Sequence, residues 1–444
     1  MPALNTDLYE LTMAAGYFAA GKTKEVATFE LTTRRLPHSR NFLLAAGLQQ
    51  AVEYLLNLRF EKDEIDYLRS LPHFQNSSPE FFRFLLDLHF TGDLFALPEG
   101  TPVFANEPLA IVRAPLVEAQ LVETYLLSTF AFQTTIASKA VRCVTAAEGR
   151  SVVEFGSRRA HSPEAGVLAG RAAYVAGCSG TSNTQSGMKF GIPVFGTAAH
   201  SWTMSFPSEK ESFVQLQRLL GDATVFLIDT YDTLKGAQLA ASLGQPCWGV
   251  RLDSGDLLSL STEVRRILDR AGLQEAKIFA TNDLDEYRLA ELIRAGAPID
   301  AFGIGTQLAT SADAPALSAV YKLVELSHDN TVMYVAKFSA DKSTLPGAKQ
   351  VYRYPDHDVI ALGTEYSDES KGEPLIGPVL TNGELVESLP TASKIRSRSQ
   401  AAVAALPKEL LSLNESSPYR VEVSPRLTEL AEGVRERLQL FEAR

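Results

Sequence analysis

Cysteine is scarce in this chain: three residues among 444, Cys143, Cys178 and Cys247, far apart and odd in number. That argues against a disulfide framework and a paired zinc knuckle, and suits reduced thiols in a cytoplasm. Histidine is scarce too, seven in all, with no H-x-x-x-H spacing, so no zinc site of that kind is expected. Long apolar runs are missing: no stretch of about 18 residues could cross a membrane. The N-terminus, "MPALNTDLYELTM", lacks a basic segment leading into an apolar core, so neither a secretory signal nor a transit peptide is expected and a cytoplasmic location is. An excess of positive charge is also missing. Lys and Arg number 42 against 53 Asp and Glu, a net charge of −11, so the bulk field repels nucleic acid and no such partner is expected. An anionic ligand would need a local arginine cluster. No low-complexity tract and no short repeat is visible.

What is present is an ordinary soluble composition, 45% hydrophobic and 21% charged, in a chain long enough for two or more domains. Residues 1–125 mix signals. "DEIDYLRSL" and "SPEFFRFLLDLHF" carry helical periodicity, with Ser78 placed to cap a helix that starts at Pro79. "TPVFANEPLAIVRAP" reads as short antiparallel strands with proline at their edges. A long helix is expected from Leu116 to Ala147. Over 126–328 short apolar runs recur between helical stretches: "SVVEFGSRR", "IPVFGTAAHS", "ATVFLIDTYD", "CWGVRLDSGD", "KIFATND" and "IDAFGIGTQ". Strands alternating with helices imply a parallel sheet, and six in series favour a closed α/β barrel. In 329–444, "TVMYVAKFS", "KQVYRYPDHDVIAL" and "EPLIGPVL" read as antiparallel strands and the C-terminal 21 residues as a helix.

Each of the six runs ends in residue types that do chemistry: Arg158 and Arg159, His200, Asp229 and Asp232, Arg251 with Asp253 and Asp256, Asn282 and Asp283, then Gly303-Ile304-Gly305-Thr306. In a parallel barrel the strand C-termini converge on one face, so these residues are expected around one cavity. Gly303 and Gly305 permit close backbone approach and Thr306 adds a hydroxyl, a turn that either holds a phosphate or simply joins strand to helix. Asp253 and Asp256 could hold ribose hydroxyls or a Mg²⁺ on phosphates; alternatively Asp256 caps a helix. Arg251, two residues before Asp253, should share its facing. Phe155 is either plain core or a π face for a flat heterocycle. Adjacent Arg158 and Arg159 point different ways, so one of them should line the site. His200 follows a clearing of small residues, "GTAA", and can serve as base or nucleophile there, although a lone histidine is often only a hydrogen-bond partner.

Taken together, "TDLYELTM", "EFGSRRAHSPEAG", "GCSGTSN", "FGTAAHSWTMSF", "GVRLDSGDL", "FGIGTQLATS" and "KFSADKSTLPGAKQVYR" resemble the nicotinate phosphoribosyltransferase family from residue 5 to residue 353. The resemblance implies an irregular, TIM-like α/β barrel with an α+β domain built from both chain ends. It implies nicotinate, 5-phosphoribosyl 1-diphosphate and ATP as substrates, with Mg²⁺, giving nicotinate mononucleotide for NAD biosynthesis from nicotinic acid. By position His200 matches the histidine that ATP phosphorylates, which speaks against quinolinate as substrate. Asp253 matches the ribose-holding acid, and Gly303, Gly305, Thr306 and Arg158 the phosphate side. Arg251 and Thr197 match positions that touch the nicotinate carboxylate, and Phe155 the ring-stacking aromatic. Tyr9 matches an aromatic supplied by a second copy, implying a homodimer. Relatives that use nicotinamide carry Asp where this chain has Ser182, so the acid is expected. His161 and Lys349 belong to the signature without an assigned role. The competing readings are nicotinamide as substrate, a Mg²⁺-dependent barrel hydrolase or aldolase on Asp229, Asp253 and Asp256, and a silent relative that acts through protein contacts.

Overall fold

Six parallel strands form the scaffold of the site: β1 (Ser151–Glu154), β2 (Gly180–Thr181), β3 (Val225–Leu227), β4 (Gly249–Leu252), β5 (Lys277–Ala280) and β6 (Ala301–Ile304). The computed structural model describes residues 3–38, 40–329, 331–338, 343–365, 372–414 and 416–442. In the sheet the order is β2-β1-β6-β5-β4-β3. Register aligns the strand ends: Ile304 sits beside Glu154 and Ala280 beside Leu252. The next residues, Phe155, Gly305, Thr281 and Asp253, therefore form one rim. The strands are buried throughout apart from their first residues in β1 and β5, which is why they read as continuous apolar runs and not as alternating ones.

The helices between these strands start at polar caps. Ser162, Asn183, Ser208, Asp232, Asp256 and Asp285 each accept a hydrogen bond from the backbone N–H three residues on. Replacing such a cap by Ala costs about 1 kcal/mol. The expected strand at "IPVF" is reduced to a single bridge between Val194 and Thr181. The sixth ladder strand is β2 instead. Its glycine is required by crowding: a Cβ on Gly180 would lie 2.3 Å from the Pro193 carbonyl oxygen and 2.7 Å from the Phe195 ring. Among the described residues no ladder joins Val194 to β3, so the barrel is irregular, with a seam there.

By its internal contacts the chain divides into two units, residues 135–315 with 391–415, and 1–134 with 316–390 and 416–444. The first holds the six strands. It also takes a helix from the C-terminal region, Ala392–Ala404, so 329–444 is not one unit as its sequence suggests. Ala392 and Ile395 pack with Tyr174, Val175 and Ile192, and Arg396 donates to the carbonyls of Gly177 and Cys178 at 2.9 and 3.0 Å.

The second unit is built on a seven-stranded antiparallel sheet. An inner strand, Val26–Thr33, pairs with Pro108–Pro115 on one side and Ala319–His328 on the other. The expected boundary at 328 thus moves back to 315, because strand 319–328 finds its partner near the N-terminus. Ser78 caps helix Pro79–Asp87 as its sequence suggests, accepting from Phe81 N. The long helix from Leu116 is two, Leu116–Leu121 and Glu123–Ala146, with Val122 between.

Candidate active site

The rim opens on a cavity of about 220 Å³. β1 contributes Phe155, Arg158 and Arg159; β4 contributes Arg251 and Asp253; β5 is followed by Thr281, Asn282 and Asp283; β6 ends in Gly303, Gly305 and Thr306. Three guanidinium groups face two carboxylates, so the cavity is locally cationic within an acidic chain, as an anionic ligand requires. Both adjacent arginines line it, where one was expected. The turn after Gly156, whose carbonyl accepts from the N–H groups of Arg159 and Ala160, brings the two to the same wall.

Arg251 is the best-anchored charge. Its Nη1 donates to Thr197 Oγ1 at 2.8 Å and its Nε to Thr281 Oγ1 at 3.1 Å, and its Nη2 forms an ion pair with Asp253 Oδ1 at 2.8 Å. The guanidinium carbon lies 5.9 Å from the centre of the Phe155 ring. Phe155 meets Phe279 edge to face at 5.3 Å, so it is both a packing residue and a cavity wall. Gly303 is required by crowding: a Cβ there would lie 2.7 Å from Thr281 Cγ2 and 2.8 Å from the Phe279 ring.

His200 begins a short helix, His200–Met204, directly after the stretch of small residues. Its Nδ1 lies 3.1 Å from Thr230 Oγ1, across the seam, and its Nε2 lies 3.6 Å from Asp253 Oδ2. The side chain is 41% exposed. The imidazole therefore reaches the same carboxylate as Arg251 while remaining open to an incoming ligand. Asp229, at the end of β3, accepts from Asp253 N at 2.9 Å and Ser254 Oγ at 2.6 Å through Oδ2. Its other oxygen, Oδ1, is buried without a hydrogen-bond partner.

Other expected residues lie elsewhere. Asp256 is the cap of helix Leu257–Arg270 and does not line the cavity; hydrogen bonds from Ser259 hold its carboxyl below the usual range. Among the described residues no three His, Cys, Asp or Glu side chains come together as a metal cage, so the three-aspartate hydrolase site is not assembled. Ser182 follows β2, its N–H bonded to the Glu154 carbonyl at 2.8 Å, beside the cavity-lining stretch but not in it. His161 is exposed. Lys349 and Tyr9 belong to the other unit. Lys349 is buried and spends its ammonium on Glu30 Oε2 at 2.7 Å and on the carbonyls of Leu345 and Gly347, a structural tie. Of the signature containing Lys349, Ser339 to Lys342 lie outside the described residues. Tyr9 stands 44% exposed in helix Leu8–Ala19.

Sequence reasoning passed over Glu154 and Thr281. Glu154 is fully buried, joins Thr181 Oγ1 at 2.6 Å to the N–H of Gly156, and is pushed up in pKa by burial. A carboxylate ending an apolar run was the available signal. Thr281 was hidden behind its more polar neighbours, although register places it beside Asp253.

Comparison with known proteins identifies the family. Family profiles match the nicotinate phosphoribosyltransferase N-terminal domain at residues 4–131, the nicotinate phosphoribosyltransferase family at 150–359 and its C-terminal domain at 356–431. Nicotinate phosphoribosyltransferase pncB2 of Mycobacterium tuberculosis is 46% identical over 435 residues, covering 96% of this chain and 92% of that protein. The chain belongs to the nicotinate phosphoribosyltransferase family. The nicotinate phosphoribosyltransferase of Bacillus subtilis is 38% identical over 395 residues, 85% of this chain and 80% of its own. The crystal structure of human nicotinic acid phosphoribosyltransferase superposes with a TM-score of 0.84 at 28% identity, over 97% of this chain and 99% of that one. Among the described residues no helix is long and apolar enough to cross a membrane.

Proposed function

We propose that this chain transfers the phosphoribosyl group of 5-phosphoribosyl 1-diphosphate to nicotinate, coupled to ATP hydrolysis, as a step towards NAD. The single observation that supports this most is that one rim holds a flat aromatic wall with a guanidinium beside it, a glycine turn with two further arginines, and a carboxylate between them within reach of an open imidazole. In this reading nicotinate lies on Phe155, its carboxylate held by Arg251 and Thr197. Asp253 holds the ribose hydroxyls, and Gly303, Gly305, Thr306 and Arg158 hold the 5′-phosphate.

The transfer is a loose displacement. The C1–O bond to diphosphate breaks with its electron pair leaving on oxygen, and the pyridine nitrogen lone pair forms the new C1–N bond. Positive charge on the ribose ring is met by Asp253. The ATP step uses His200: an imidazole nitrogen attacks the γ-phosphorus, the bond to ADP breaks, and water later cleaves the N–P bond to release phosphate. Hydrolysis of that bond pulls a near-balanced transfer towards nucleotide. Mg²⁺ fits as a cation that brings its own phosphate ligands, because Asp229 keeps one buried oxygen unpartnered and no complete protein cage is present among the described residues. Asp229 and Asp253 would hold it, and it would neutralise phosphate charge. Tyr9, supplied by a second copy of the chain, would complete the nicotinate pocket in a homodimer, and Ser182 leaves the base carboxylate unopposed.

The test is direct. Incubation with nicotinate, phosphoribosyl diphosphate, Mg²⁺ and ATP should yield nicotinate mononucleotide with ADP. Product made equally fast without ATP would keep the transfer and remove the role given to His200; no product from any pyridine base would end the reading.

A further inference from the structure

Arg251 and Asp253 stand two residues apart on one face of β4, an arrangement that by itself favours collapse. An arginine fork and a carboxylate at that spacing reach their lowest energy as a two-pronged pair, with both oxygens and both ends of the fork consumed. Such a pair would have nothing left for a ligand. The structure shows a single prong, Nη2 on Oδ1 at 2.8 Å. Thr281 stands where the second would form. Its hydroxyl accepts from Arg251 Nε at 3.1 Å and donates to Asp253 Oδ1, so it occupies the edge of the guanidinium and the inner oxygen of the carboxylate at once. Oδ2 is left facing His200 Nε2 at 3.6 Å, and Nη1 is turned to Thr197.

Thr281 can do this because of register. Ala280 pairs with Leu252 in the parallel ladder, which sets the next residue of β5 level with Asp253, and the Thr281 N–H is anchored on the Leu252 carbonyl at 2.9 Å. The residue is 4% exposed, and besides these partners its hydroxyl reaches only the Leu252 carbonyl, at 3.2 Å, among the described hydrogen bonds. Its methyl faces the other way, into the space above Gly303. One side chain thus touches the base side, the ribose side and the phosphate turn of the cavity.

We infer that Thr281 is a positioning residue: its hydroxyl limits Arg251 and Asp253 to a single contact, so that each keeps a free valence for substrate. This rests on the functional reading above. Losing the hydroxyl lets the pair close, which removes the carboxylate clamp on nicotinate and the ribose clamp on phosphoribosyl diphosphate together. Thr281→Val keeps the shape and lacks the hydroxyl; Thr281→Ser keeps the hydroxyl and lacks the methyl. Steady-state kinetics should show the KM for both substrates raised about 10-fold in Thr281→Val, kcat changed less, and Thr281→Ser within about 3-fold of the parent. A residue that merely packs against Gly303 gives the opposite order, with Ser the damaged variant and Val neutral, and that result overturns the inference. If Thr281→Val does not fold, the pair Thr281→Ser and Thr281→Ala differs by the hydroxyl alone, and equal KM values in those two overturn it as well. An unsubstituted protein that makes no nicotinate mononucleotide fails the functional reading instead, a distinguishable outcome.

Discussion

The two units use the same residue types for opposite purposes. In the unit built from both chain ends, charged groups are spent inside. Glu30 is buried against Lys349. Arg353 clasps Asp358, with Glu107 and Tyr419 packed around them. Glu10 accepts from Thr6 and from Thr124. Burial pushes Glu10 up to about 7 and Glu107 well above its ordinary value, the mark of carboxylates kept for packing and hydrogen bonding. At the barrel rim the charges stay open to solvent: Asp253 is 29% exposed and His200 41%. A carboxylate becomes a site when the fold leaves it open to a ligand.

That contrast can be broken in several ways. The largest effect should come from Arg251→Ala, which removes the best-anchored rim cation. It should lower kcat/KM for nicotinate by at least about 100-fold, the scale of a lost charge-assisted hydrogen-bond pair. If Tyr9 of a second copy completes the site, mixing Arg251→Ala with Tyr9→Ala subunits should restore about a quarter of the parental activity by random reassortment. No recovery on mixing would remove the shared site while leaving the effect of Arg251→Ala intact.

The buried side of the comparison is tested by stability. Because the folded-state value of Glu10 lies above its ordinary 4.5, folding favours the protonated acid. Its contribution is complete below about 4.5 and is lost as pH rises towards about 7. Thermal melts should therefore show Glu10→Gln gaining about 2 kcal/mol on the parent between about pH 5 and about pH 8. A difference that does not change with pH would place the ionised acid comfortably in its pocket.

The smallest effect belongs to selectivity. Ser182→Asp should shift the ratio of kcat/KM for nicotinate over nicotinamide towards the amide by about 10-fold, since a carboxylate near the base carboxylate repels it and accepts from an amide. An unchanged ratio would remove Ser182 from the specificity argument.

The difference between the units also explains what the sequence revealed. The barrel was legible because its strands are buried on both faces and stop in register, so runs such as "KIFA" and "GVRL" end visibly and the chemistry starts at the next residue. Arg251, Asp253, Phe155 and the Gly303–Thr306 turn were found that way. The other unit was not legible in the same sense. Lys349 gives no sign that its partner is Glu30, 319 residues away, and strand 319–328 reads like a continuation of the barrel until Val26–Thr33 pairs with it. Asp256 stayed between two readings because a helix cap and a ligand look alike when both follow a Ser-Gly turn. Thr281 was missed because a hydroxyl between two charges has no signature of its own; only the parallel register brings it level with Asp253.

The account depends most on the imidazole that spans the seam beside Asp253. The protein should be incubated with ATP labelled at the γ-phosphate and the label mapped by mass spectrometry under conditions that preserve N–P bonds. One phosphoryl group on His200, absent from His200→Ala while that variant keeps a slow, ATP-independent transfer, is the result expected. Label on another residue, or undiminished ATP hydrolysis by His200→Ala, would contradict it.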